Sequence, residues 1–139
     1  MSARGVVLDR SAIIAMLTQE PPALALADAL EGMRPRLVSA GTVLECALVL
    51  QQRYGPNADL LLDEFLRDVH VDVVAFDAEQ VRSARDGARR FGRGRHAAAL
   101  TFGDCFAYAL AITRGLPLLF IGDDFSRTDV SRLAPQGGA

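Results

Sequence analysis

Gly115-Leu116-Pro117-Leu118-Leu119-Phe120-Ile121-Gly122-Asp123-Asp124 is the stretch that decides the architecture. A Gly/Pro turn feeds the apolar run 118–121, too short for a helix and bounded by turn residues, which reads as a buried strand. Two carboxylates follow at once. Just upstream, residues 105–113 are apolar on nearly every side, the pattern of a helix enclosed by protein. The same order of strand, acid and helix recurs near the start, where Gly5-Val6-Val7-Leu8 ends at Asp9 and Ser11 is placed to cap a helix over 12–17. Pro21-Pro22 then breaks the chain, and 23–30 has helical spacing. Leu37-Val38-Ser39 is a brief strand. Gly41 and Thr42 open a helix that runs to Tyr54 and stops at Gly55-Pro56. Asn57 starts another, with Leu60, Leu61 and Phe65 on one face. Residues 71–76 form a strand, Asp77 caps a helix over 78–91, and 130–133 form a last short edge strand.

Strands alternating with helices predict an α/β/α sandwich with a mostly parallel central sheet. No linker, repeat or low-complexity segment interrupts it, so residues 1–134 are expected to form one domain, with 135–139 a disordered tail. Half of the 139 residues are apolar and 23% are charged, a globular composition and not a disordered one. No apolar run is long enough to span a bilayer and no secretory leader is visible, so a cytoplasmic location is expected. Cys46 and Cys105 form no Cys-x-x-Cys pair or Cys/His cluster; they read as small buried apolar residues, and a zinc site is not expected.

The net charge of −2 does not advertise nucleic-acid binding, but its distribution matters. All fifteen basic residues are arginine, and Arg82, Arg85, Arg89, Arg90, Arg93 and Arg95 cluster against Asp86 alone. Such a group is either a solvated helix face and loop or a phosphate-binding patch.

Asp9, Glu45, Asp104 and the Asp123-Asp124 pair all fall at the carboxyl edge of the sheet, where open α/β folds place ligands. Each has a plainer explanation. Asp9 fits a turn. Glu45 completes a Thr42-x-x-Glu45 capping box. Asp104 stands in the same spacing from Thr101, although Gly103 is a poor first-turn residue, which leaves Asp104 itself as a candidate near the cap. The positive end of the buried helix dipole would keep Asp104 ionised. Asp123 and Asp124 fit a solvated turn. Their convergence on one edge is harder to explain away. Four acids in one cleft repel unless protonated or neutralised, and a divalent cation with oxygen ligands, Mg²⁺ or Mn²⁺ foremost, is the natural remedy. That combination points to phosphodiester chemistry.

These segments together resemble the PIN-domain ribonucleases, and among them the VapC-type toxins of type II toxin–antitoxin systems. The resemblance rests on Val7-Leu8-Asp9-Arg10-Ser11-Ala12, on Ser39-Ala40-Gly41-Thr42-Val43-Leu44-Glu45, and on Arg95-His96 followed by Phe102-Gly103-Asp104-Cys105-Phe106-Ala107-Tyr108-Ala109. It ends with Leu119-Phe120-Ile121-Gly122-Asp123-Asp124-Phe125 and covers nearly the whole chain in order. It implies a Mg²⁺- or Mn²⁺-dependent endoribonuclease with Asp9, Glu45 and Asp104 in the acidic site and a fourth acid, Asp124 or alternatively Asp123. Ser11 matches the polar residue supporting the cluster. Arg10 replaces the family's usual Thr, with activity expected to survive, and Arg10, Arg89, Arg90, Arg93 and Arg95 are candidate RNA contacts. RNA (tRNA among the candidates), a VapB-like antitoxin and a homodimer built on helices of the first half are the implied partners, with no membrane.

Three alternatives differ in kind. A non-catalytic PIN-like module would bind no divalent metal. A DNA nuclease or small-substrate phosphohydrolase would prefer another substrate. A receiver-like phospho-acceptor domain needs a Lys near its Asp, and this chain has none.

Overall fold

The structure, a computed structural model, describes residues 4–92, 94 and 99–133. Arg93, Arg95, His96 and the expected tail at 135–139 lie outside the described residues. In chain order the elements are β1 (Val6–Leu8), α1 (Arg10–Leu17), α2 (Ala23–Leu30), β2 (Arg36–Ser39), α3 (Ala40–Tyr54), α4 (Leu60–Asp68), β3 (Val71–Val74), α5 (Ala78–Phe91), α6 (Phe102–Arg114) and β4 (Leu118–Leu119). The strands pair in the order β3-β2-β1-β4, and every pair is parallel.

Alternation along these short strands builds the two faces. Val6, Leu8, Val38, Val71 and Leu119 pack with Ile13, Leu26, Leu30, Leu50 and Leu62 from α1 to α4. Val7, Leu37, Leu118 and Phe120 turn to the other side, against Phe91 of α5 and Ala107, Tyr108 and Leu110 of α6. Each fully buried Leu or Ile contributes about 1.5–3 kcal/mol of transfer free energy. The α/β/α sandwich follows from that division.

Several boundaries differ from the sequence expectation. The last strand stops at Leu119 because the Ile121 N–H donates to Ser11 Oγ at 3.0 Å instead of to a neighbouring strand. The expected edge strand at 130–133 is reduced to an isolated parallel bridge between Leu118 and Arg132. β3 ends at Val74, short of Phe76. Turns occupy 56–59, so α4 begins at Leu60, and the residues it buries are Leu62 and Leu66. Leu60 and Leu61 stand exposed instead. Arg36, which carries no signal in the sequence, is buried at the start of β2. Its guanidinium donates to the carbonyls of Leu30, Met33 and Val69, joining the ends of α2 and α4. No helix among the described residues is long and apolar enough to cross a membrane.

Candidate active site

Asp9 leaves β1 and caps α1 itself. Its Oδ2 accepts from the Ser11 N–H at 3.0 Å and from Ser11 Oγ at 2.7 Å. The expectation that Ser11 is the cap is therefore corrected: an acid at this position accepts from the first-turn N–H as well as a hydroxyl does, and α1 begins one residue after it. Ser11 serves as a tie, since the oxygen that donates to Asp9 accepts from Ile121. One hydroxyl thereby joins the ends of β1 and β4, and Asp9 is held in a single orientation while almost entirely buried.

The capping box expected for Glu45 does not form. Ser39 caps α3 by accepting from Gly41, and Thr42 is buried with its hydroxyl unpartnered among the described residues. Nothing in helix capping accounts for Glu45. Its carboxyl lies against Gly103 so closely that a Cβ there would meet Oε2 at 1.8 Å. This explains a glycine in the first turn of a buried helix, a position where it is otherwise unfavourable.

Asp104 does form its box. Thr101 caps α6, the Asp104 N–H donates to Thr101 Oγ1 at 3.3 Å, and the Thr101 N–H donates to Asp104 Oδ2 at 2.9 Å. Asp104 is thus the third residue of the helix and not its cap. Asp123 and Asp124 are both exposed beyond β4, and it is Asp124 whose charge bears on Asp104.

The electrostatics unite the cluster. Burial raises the pKa of Asp9, against the lowering effect of its Ser11 hydrogen bonds and the Arg10 charge. Burial also raises Glu45; Arg10 opposes this, while Asp9 and Asp104 push the same way. Asp104 is pushed up to about 6, chiefly by burial, with Asp9 and Asp124 adding to it and the Thr101 hydrogen bonds opposing. Desolvation and neighbouring acids thus oppose the helix dipole, although a carboxyl near 6 is still mostly ionised at neutral pH. Arg10 Nη1 stands 3.8 Å from Glu45 Oε2 and is the cation of this cluster among the described residues.

The donor set, all carboxylate oxygens repelling one another, suits Mg²⁺ or Mn²⁺ in chemistry and charge. Among the described residues no three His, Cys, Asp or Glu side chains form a ready metal cage. Like charges keep apart, and Asp9, Asp104 and Glu45 each rest on a local partner. Mg²⁺ does not require a closed cage, since it retains several waters and takes only one or two carboxylates.

The PIN domain family matches residues 6–131 of this chain. Ribonuclease VapC30 of Mycobacterium tuberculosis is 45% identical over 129 residues, covering 93% of this chain and 98% of that protein. The chain belongs to the PIN-domain family, among the VapC ribonucleases. Ribonuclease VapC of Mycolicibacterium smegmatis is likewise 45% identical, over 91% of this chain and 98% of that protein. The crystal structure of Mycobacterium tuberculosis VapC20, described as a sarcin–ricin loop cleaving toxin, superposes with a TM-score of 0.75. It does so at 16% identity, over 94% of this chain and 100% of that one, and bears on the fold alone.

Within this VapC-type chain the remaining candidates separate. Arg89 and Arg90 both pair with Asp86, and Arg90 also reaches Asp129 at 3.3 Å. Asp129 in turn accepts from the Tyr108 hydroxyl at 2.8 Å, so Arg90 helps fix the segment after β4 to α5 and α6. Cys46 is buried and its thiol pKa is raised by burial, then by Asp9 and Glu45. Cys105 is half-buried and donates to the Thr101 carbonyl. Both thiols are unreactive by environment. Sequence reading missed the contact of Gly103 with Glu45 and the Arg10–Glu45 pair. The glycine in a first turn was the available signal for the former.

Proposed function

We propose that this VapC ribonuclease cuts RNA phosphodiester bonds with Mg²⁺ or Mn²⁺ held by Asp9, Glu45, Asp104 and Asp124, as the toxin half of a VapBC-type toxin–antitoxin pair. The observation that carries the reading is the convergence of Asp9, Glu45 and Asp104 at one sheet edge, each buried or half-buried and held by its own local contact. Burial and crowding raise the proton affinity of all three, and a bound cation relieves that cost. When bound, a divalent ion lowers the pKa of a coordinated water and polarises the scissile phosphate. The chain's own groups do the rest. Ser11 fixes Asp9, Thr101 fixes Asp104, Gly103 admits the Glu45 carboxyl, and exposed Asp124 closes the cleft from the β4 side.

Arg10 sets the strength of that cleft. It pairs with Glu45 and lowers the proton affinity of both Asp9 and Glu45, so it also competes with an incoming cation. The pair is partly exposed, which limits its worth. Arg10→Thr is expected to tighten Mn²⁺ binding by roughly two- to tenfold in calorimetric titration. Equal or weaker affinity would remove Arg10 from this role.

The reading extends to partners. Leu44 and Leu48 of α3, Leu60 and Leu61 of α4, Leu24 of α2 and Tyr54 are large apolar residues left exposed on helices of the first half. They supply surface for a homodimer and for a VapB-like antitoxin, with both partners and the RNA expected in the cytoplasm. The molecule is proposed to be one domain across the matched span.

The substrate is tested by incubating the protein with RNA, single- and double-stranded DNA, and nucleotides, each with Mn²⁺. Discrete cleavage of RNA alone is expected. Preference for DNA or for mononucleotides would replace the RNA assignment with a different phosphodiesterase or phosphohydrolase.

A further inference from the structure

Phe102, the first residue of α6, is 83% exposed, the largest exposure of any bulky apolar side chain among the described residues. It is not isolated. Its ring meets Phe106 edge-on at 5.1 Å, and Phe106 meets Phe76 in the same way at 4.8 Å. Phe106 is held in place from α3, where a Cβ on Gly41 would fall 2.3 Å from its ring. Between these rings and α5 lies an apolar cavity of about 260 Å³, lined also by Val81, Ala84 and Cys105. Arg85 stands on its rim and lines a second cavity shared with Arg82, Asp86 and Arg89. Arg89 is paired with Asp86, whereas Arg82 and Arg85 make no ion pair among the described residues.

We infer that this cavity is a nucleobase subsite, taking one unpaired base of the RNA strand beside the phosphate at the acidic cluster. The inference rests on the ribonuclease reading above. Phe102 and Asp104 lie on different sides of α6. Gly103 between them, however, lies against the Glu45 carboxyl, and Phe106 packs on Gly41 of α3. The platform therefore adjoins the acidic cluster, and a strand with a phosphate there can lay a neighbouring base over Phe102. An aromatic face backed by a fixed second ring is the usual platform for an unpaired base. The volume is below that of a drug-sized site and suits a single heterocycle. The free guanidiniums of Arg85 and Arg82 sit where an adjoining backbone phosphate would lie, and guanidinium is the favoured phosphate partner. That charge argues for a polyanion over an apolar helix or a second copy of the chain. Arg10, Arg89 and Arg90, by contrast, already face carboxylates.

The test is titration of a single-stranded oligoribonucleotide carrying 2-aminopurine with the full chain in EDTA, so that stacking is read without turnover. Wild type is expected to quench the fluorophore. Phe102→Ala and Phe102→Leu should each weaken binding by roughly 5- to 150-fold, while Phe102→Trp retains it. Melting curves should match, since Phe102 contributes little to the core. Equal quenching by wild type and the Leu variant would overturn the subsite. So would conversion of a dimer to a monomer by Phe102→Ala with quenching unchanged, which would assign the patch to self-association. Quenching lost in the Leu variant while wild type cuts no RNA would uphold base binding and overturn the ribonuclease reading instead.

Discussion

Asp104→Asn is expected to abolish RNA cleavage while making the metal-free protein more stable. The variant keeps the side-chain shape, and its carbonyl oxygen can still accept from the Thr101 N–H, so the start of α6 is preserved. What it loses is a charge that the fold accommodates at a cost. The Asp104 carboxyl is raised from 3.8 to about 6, so at neutral pH its ionised form opposes folding. A shift of this size corresponds to roughly 1–3 kcal/mol after allowing for water in the cleft, and the variant should melt several degrees higher at pH 7. Cleavage should fall by at least about 100-fold, since even partners one shell removed from a metal cost 10- to 100-fold. A variant that loses activity and stability together would indicate a structural role through the capping box. A variant that keeps activity would move the site elsewhere.

The second large effect is a pH-dependent stabilisation by metal. Asp9, Glu45 and Asp104 all have folded-state pKa values above their ordinary ones. Between the ordinary carboxylate range and about 6 the folded protein therefore holds protons that the unfolded chain has released. Stability of the metal-free protein is highest below that window and is lost as pH rises through it. A cation binds the deprotonated cluster and reverses the loss, adding about 2.7 kcal/mol when present at 100 times its dissociation constant. Thermal melts from about pH 5 to about pH 7.5 should fall with pH in EDTA and flatten with Mn²⁺, the gain from metal shrinking at the acid end. Parallel curves with and without Mn²⁺ would show that these carboxylates hold no metal.

The sheet and its layers were legible because they depend on local pattern. Val6-Val7-Leu8 and Leu118-Leu119-Phe120 are continuous apolar runs, and only strands covered on both faces read that way. The acids were legible as positions but not as environments. Capping statistics gave Glu45 a box that Ser39 makes unnecessary, and they gave α1 a cap at Ser11 that Asp9 takes itself. Both follow from the choice among neighbouring polar residues, which tertiary packing decides. The raised pKa of Asp104 comes first from burial and then from Asp9 and Asp124, none of which a helix-dipole argument made from one segment contains. Arg10 was visible as an unusual residue between Asp9 and Ser11, but its contact with Glu45 on another helix was not. Leu60 and Leu61 were placed on one face with Phe65, but α4 turns Leu62 and Leu66 to the core and leaves Leu60 and Leu61 exposed.

The central claim is that these carboxylates cut RNA with a divalent ion. Its most direct measurement is cleavage of total RNA by the purified, antitoxin-free protein, run with Mn²⁺ and with EDTA, beside Asp104→Asn. Discrete fragments that appear only for wild type with Mn²⁺ are predicted. Fragments that persist in EDTA or in the variant would contradict the account.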